Sequence, residues 1–212
     1  RAEVTVTLDT LYPFRDTLTF RVFASSPVAF DLDIRIPGFA DSAQVDGVRA
    51  CPGAFFTVSR VWEGEQTAEV QLSCSPCFLP RPNDLVCVRR GVLVYALPID
   101  GETVMHEYVR DGVERKFPYC DYEIFPRSAW NYAYVSDALQ YEEHPLQDFP
   151  FGPDAPVSLT AQVTEIDWPM VYGVCTAVPA GRIPRSAPRT IRLIPYGCTQ
   201  LRMTEMPLLS VT

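Results

Sequence analysis

Twenty of the 212 residues are proline. A proline inside a helix removes a backbone donor and clashes with the preceding turn, so long helices are excluded from most of this chain. Alternation of apolar and polar residues takes their place, which is the mark of half-buried strands. Val4, Val6 and Leu8 alternate with Glu3, Thr5 and Thr7, and Leu18, Phe20 and Val22 alternate with Thr17, Thr19 and Arg21, with Pro13 in the connection. The run Val28 to Ile36 alternates again until Pro37-Gly38 ends it, and Asp46-Gly47 is a hairpin signal between short strands. Phe55 to Val61 and Thr67 to Leu72 read as a further strand pair joined by a turn at Glu63-Gly64-Glu65. Short strands at this cadence suit a β-sandwich.

A proline-rich loop at Pro76 to Asp84 precedes two apolar stretches around Gly91, read as the last strands of a first domain. The charged segment Asp100 to Lys116 follows, with turns marked by Gly101 and Gly112. In the second half, Val104 to Val109, Tyr119 to Phe125, Tyr132 to Val135, Val157 to Ile166, Thr190 to Ile194 and Leu201 to Met206 are candidate strands. Proline-dense loops, His144 to Pro156 and Pro179 to Pro188, lie between them. The length fits two domains of about 100 residues each. The expected fold is therefore all-β, two consecutive antiparallel β-sandwich domains, residues 1–98 and 99–212.

Charge narrows the partners. With 26 Asp and Glu against 18 Lys and Arg, the chain repels polyanions, and nucleic acid is not expected to bind. No apolar run reaches the roughly 18 residues of a membrane helix, so no membrane partner is expected. The first residue is Arg1 and not Met, which suggests an excised or processed segment. Seven cysteines, an odd number at irregular spacing, argue against a disulfide framework; they leave the compartment unknown, with a lean toward the reducing cytoplasm. Cys74-x-x-Cys77 stands alone, without the second pair that a structural zinc site requires.

Candidate chemistry is sparse. A glycosidase needs two carboxyl groups facing each other across the scissile bond. Asp121 and Glu123 would share a strand face, and Glu142, Glu143 and His144 cluster beside a loop, but neither spacing demands catalysis. Two histidines, His106 and His144, are too few for a histidine-rich metal site. No G-x-S-x-G elbow or glycine-rich phosphate loop occurs. Aromatic side chains supply a different kind of candidate, because exposed rings can stack on sugars. Trp130, Tyr132 and Tyr134 alternate and would share one strand face, with Trp168 as a further ring; the competing reading is ordinary sandwich core.

Five stretches carry a resemblance. They are IRIPGFA at Ile34 to Ala40, SRVWEGE at Ser59 to Glu65, RRGVLVYALPI at Arg89 to Ile99, DYEIFPRSAWNY at Asp121 to Tyr132, and LIPYGCTQLRMTEMP at Leu193 to Pro207. Together, in this order, they resemble the region that follows the catalytic barrel in the β-L-arabinofuranosidases of glycoside hydrolase family 127. Departures are small: Phe39 stands where Trp is common, Asp46 where Asn is, and Val92 where Pro is.

The resemblance implies that residues 1–98 correspond to the family's middle domain and 99–212 to its C-terminal domain. It also implies that the catalytic helical barrel lies outside these 212 residues. The family's chemistry is understood to use a cysteine nucleophile beside a zinc ion, with an adjacent Cys-Cys pair and a Glu-x-Cys element. Neither element occurs here, so no catalytic or metal residue is carried over and no cofactor is expected in this chain. Cys198 reads as a packed thiol. The expected role is a non-catalytic support for the helical catalytic domain of a parent protein, inactive by itself. Two rival readings remain: an autonomous carbohydrate-binding module using Trp130, Tyr132 and Trp168, and a homo-oligomerisation module.

Overall fold

The computed structural model describes residues 1–209. The chain is all-β, as its alternation predicts, and every ladder between its strands is antiparallel. It forms two compact units, one made of residues 1–76 with 90–93, the other of 77–89 with the chain from 94 onward.

The first unit holds β1 (Val4–Thr10), β2 (Thr17–Arg35), β3 (Ser42–Val45), β4 (Val48–Ala50) and β5 (Phe55–Ser73), in the sheet order β1-β2-β5-β3-β4. Its backbone is the ribbon of β2 and β5, each 19 residues long. The sequence reading splits each of them in two, and the structure corrects this. Between the pairs Ala24↔Gly64 and Val28↔Trp62, three residues of β2 oppose one of β5, so Ser25-Ser26-Pro27 form a bulge against Glu63. Pro27 is tolerated there because a bulge asks no ladder bond of it. Gly64, at φ +60, takes the left-handed backbone that the bend requires. The supposed turn is thus a crease in a continuous strand.

Inward residues of β2 and β5 from both sides of the crease join one core. Val22, Ala24 and Ile34 meet Trp62, Ala68, Val70 and Leu72, with Phe30, Leu32, Phe56 and Val58 packed against them. Trp62 is fully buried (0% exposed). Its Nε1 donates to the Phe30 carbonyl at 3.1 Å, its ring stacks on Phe30 at 5.3 Å, and the Arg60 guanidinium lies 4.3 Å from the ring centre. The expected hairpin at Asp46-Gly47 is present, both residues at positive φ (47° and 78°) as a type I′ turn needs. The Asp46 carboxylate also accepts from the Glu69 amide at 2.8 Å and from Arg60 at 3.0 Å, which fastens the turn to β5. A bidentate pair, Arg90 to Asp16 at 2.5 and 3.2 Å, closes this unit.

The second unit begins with β6 (Cys77–Arg81), β7 (Leu85–Arg90) and β8 (Leu93–Pro98). The sequence boundary at residue 98 groups these with the first half; β8 hydrogen-bonds to β17 and β18 and β7 to β19, all near the C-terminus, while β6 pairs with β7. Next come β9 (Gly101–His106), β10 (Tyr108–Arg110), β11 (Val113–Arg115), β12 (Asp121–Pro126), β13 (Tyr132–Glu143), β14 (Val157–Glu165), β15 (Met170–Val171), β16 (Val174–Cys175), β17 (Arg189–Pro195), β18 (Arg202–Met203) and β19 (Glu205–Pro207). An eight-stranded sheet runs β13-β14-β17-β8-β7-β19, with β18 on β8 and β6 on β7. Its inner strand β14, next to the edge strand β13, is buried on both faces. The polar groups this traps are satisfied: Ser158 Oγ bonds His144 Nε2 at 2.7 Å, and Thr164 Oγ1 donates to the Ser186 carbonyl at 2.7 Å. Between β9 and β12, which pair with each other, the chain makes the smaller hairpin β10–β11 around Asp111-Gly112.

Candidate functional site

The sequence-derived rings Trp130, Tyr132 and Trp168 do come together. Trp130 lies just before β13, Tyr132 opens that strand, and Trp168 follows the end of β14, whose Glu165 is the partner of Tyr132. The Trp130 and Trp168 rings meet edge to face at 5.5 Å, and Trp168 Nε1 donates to the Thr176 carbonyl at 2.8 Å. Trp168 and Tyr132 are each 5% exposed, and the Arg189 guanidinium lies 4.8 Å from the centre of the Tyr132 ring. Tyr134 is deeper, edge to face with Phe78 at 4.8 Å, and burial pushes its phenol above the ordinary value of 10.0. Trp130 alone is half-buried. Trp168 and Trp130 pack in one cluster with Leu85, Ala133 and Ile166, and Tyr132 and Tyr134 are buried.

Two of the candidate acids are engaged with near neighbours. Glu123 bonds His106 Nε2 at 2.6 Å across the β9–β12 ribbon, and Glu143 stands 3.3 Å from the Tyr141 hydroxyl. A cleft of about 440 Å³ near Ile99, Thr103, Ile124, Phe151, Cys198 and Leu201 has no Asp, Glu or His among its lining residues. Cys198 is a packed thiol, buried beneath the turn at Tyr196–Cys198, and desolvation raises its pKa. None of the seven cysteines forms a disulfide. Among the described residues no three His, Cys, Asp or Glu side chains converge to hold a metal ion. The zinc chemistry that the resemblance attaches to the family therefore has no fitting ligand set in the described part of this chain. No helix among the described residues is long and apolar enough to cross a membrane.

Sequence reasoning passes over a second aromatic pair, Tyr108 and Tyr119. They line an open pocket of about 350 Å³ with Arg110, Asp111, Arg115 and Asp121. The only sequence signal for it is the Asp111-Gly112 turn, which folds β10 onto β11 and so places Arg115 opposite Tyr108.

Residues 1–74 match the family model described as "Beta-L-arabinofuranosidase, GH127 middle domain". No curated protein matches the chain. Among solved structures, a GH127 β-L-arabinofuranosidase from Geobacillus stearothermophilus T6 matches at 19% identity with a TM-score of 0.60, over 98% of this chain and 31% of its own length. A protein described as a glycoside hydrolase matches at 18% identity and a TM-score of 0.53, and a GH127 β-arabinofuranosidase at 12% and 0.51; each match covers 98% of this chain and 32% of the other. The chain thus spans about a third of the length of the structures it matches. Residues 1–74 are therefore similar to a GH127 middle domain, and the chain as a whole shares its all-β fold with solved GH127 proteins.

Proposed function

We propose that this chain is the accessory β region of a β-L-arabinofuranosidase-like glycoside hydrolase, in which it backs a helical catalytic domain without contributing catalytic groups. The observation that carries the reading is the GH127 middle-domain match over residues 1–74 together with a fold shared over nearly the whole chain. A surface feature supports it. In the register of β1 with β2, Val4, Val6 and Leu8 stand opposite Ala24, Val22 and Phe20 and share their apolar face, yet all three are exposed. β1 is the edge of its sheet. An apolar row on an uncovered edge strand is a surface that soluble proteins normally cover or blunt, and a packed helical domain would cover it.

The test has two arms. Assayed alone against aryl β-L-arabinofuranosides, the 212-residue chain is expected to give no turnover. Mixed with the parent's helical domain expressed separately, it is expected to form a complex in sedimentation that Val6→Asp abolishes. Turnover by the chain alone that survives repurification and is lost on mutating one of its acids or cysteines sinks the reading.

A further inference from the structure

The pocket on the β10–β11 hairpin has the chemistry of a ligand site that the accessory role does not explain. Three of its side chains are set by one hairpin face: Tyr108 and Arg115 are cross-strand partners, and Arg110, two residues from Tyr108, points the same way. Tyr119 and Asp121 arrive from the other side, through the turn closed by the Tyr119 amide on the Lys116 carbonyl at 2.7 Å and the first residue of β12. Cys120, between them, is buried and anchors that segment. Tyr119 is 81% exposed, so a large ring is held at the surface without being spent on the core.

The balance of groups selects the ligand class. Two guanidinium groups are offset by two carboxylates, Asp111 and Asp121, so the pocket has no net charge with which to hold an anion or a cation. The Asp121 carboxylate accepts a hydrogen bond from the Tyr108 hydroxyl, which holds that phenol above its ordinary pKa of 10.0. The carboxylate still has lone pairs for further donors. Planar donors, a carboxylate acceptor and an exposed aromatic face suit a ring bearing adjacent hydroxyls: the guanidinium gives to hydroxyl oxygens, the carboxylate takes hydroxyl protons, and the aromatic face covers the C–H side. A volume of about 350 Å³ has room for a monosaccharide unit.

We infer that Tyr108, Arg110, Arg115, Tyr119 and Asp121 form a binding site for a neutral saccharide, with Tyr119 as its stacking ring. The site goes beyond the accessory role, and only the choice of an arabinofuranosyl probe rests on that role. It lies apart in sequence from the Trp130 and Trp168 rings and asks nothing of them.

The experiment is a titration of the ¹⁵N-labelled chain with methyl β-L-arabinofuranoside, cellotriose and trigalacturonate, read by amide shifts. At least one neutral probe is expected to move signals of residues 108–121 saturably. Tyr119→Ala is expected to weaken that binding at least tenfold and Asp121→Asn to weaken it severalfold, while Phe149→Ala, at another exposed aromatic, leaves it unchanged. If cellotriose binds and the arabinofuranoside does not, the saccharide site stands and its link to the arabinofuranosidase reading is cut. The inference is overturned if no neutral probe shifts these signals, if trigalacturonate binds more tightly than both neutral probes, or if Tyr119→Ala binds like the parent chain.

Discussion

Trp62→Ala is the most searching perturbation of the first unit, because one side chain there serves three interactions at the crease. The indole is fully buried among the residues that unite the two halves of the ribbon. Truncating such a ring costs about 3–5 kcal/mol in transfer and cavity terms. Losing the Nε1 bond to the Phe30 carbonyl removes about 1 kcal/mol more, and the Arg60 guanidinium over the ring about 0.5–1. These contributions share atoms and do not simply add, so the expected loss is about 4 kcal/mol, a large fraction of the roughly 5–15 kcal/mol that holds an ordinary domain together. Trp62→Phe keeps an apolar ring beside Phe30 and removes only the donor and some volume; about 1–2 kcal/mol is expected. Hydrogen exchange read peptide by peptide is the right assay, because two compact units need not melt as one. Amides of β2 and β5 should exchange much faster in Trp62→Ala and slightly faster in Trp62→Phe. If Trp62→Ala costs less than about 1 kcal/mol, or the two variants are equally damaged, the argument that packing at the crease dominates is wrong.

Three further outcomes are expected. Tyr134 is neutral and buried, with its pKa raised first by desolvation and then by the nearby Cys87, so its contribution is whole below pH 10.0 and is lost as pH rises from there toward the higher folded value; thermal melts in alkaline buffer should fall less steeply for Tyr134→Phe than for the parent chain. Asp16→Ala removes the carboxylate that Arg90 grips with both nitrogens, at a pair whose side chains are 10% and 20% exposed, and should cost about 2–3 kcal/mol in urea unfolding, while Asp16→Asn, which keeps an acceptor, should cost less. Trp168→Ala should destabilise by about 3–5 kcal/mol, and Trp130→Ala by less because that ring is only half-buried; equal melting temperatures for the two variants would contradict the packing described for them.

What the sequence made legible was mostly local. The Asp46-Gly47 hairpin and the inward rows of β2 and β5 follow from turn chemistry and period-two alternation, signals that lie within a few residues of each other. The continuity of β2 and β5 was hidden because Pro27 and Gly64 are ordinary strand breakers, and only their meeting across the ribbon, 37 positions apart in the chain, turns two breaks into one bulge. The grouping of β7 and β8 was hidden likewise: their partners β17, β18 and β19 lie about a hundred residues onward. For the candidate site, attention to tryptophan pointed to rings that the fold buries. Tyr108 and Tyr119 carry no distinguishing pattern in one dimension, and become neighbours only when one hairpin nests inside another.

The crease also preserves parity. Between Ala24 and Val28 the first strand advances four positions while the second, between Trp62 and Gly64, advances two, so the surplus is two residues. An even surplus leaves every inward side chain inward: Val22, Ala24, Phe30, Leu32 and Ile34 keep even numbers on one side of the fold-over, as Phe56, Val58, Trp62, Ala68, Val70 and Leu72 do on the other. A slip of the whole ladder by one position, with nothing absorbed at the crease, would instead turn Asp31, Asp33 and Arg35 into the core. Length changes at Ser25-Ser26-Pro27 should therefore be tolerated as long as Val28 still meets Trp62, with the bulge absorbing the difference and the bend of the ribbon changing with it.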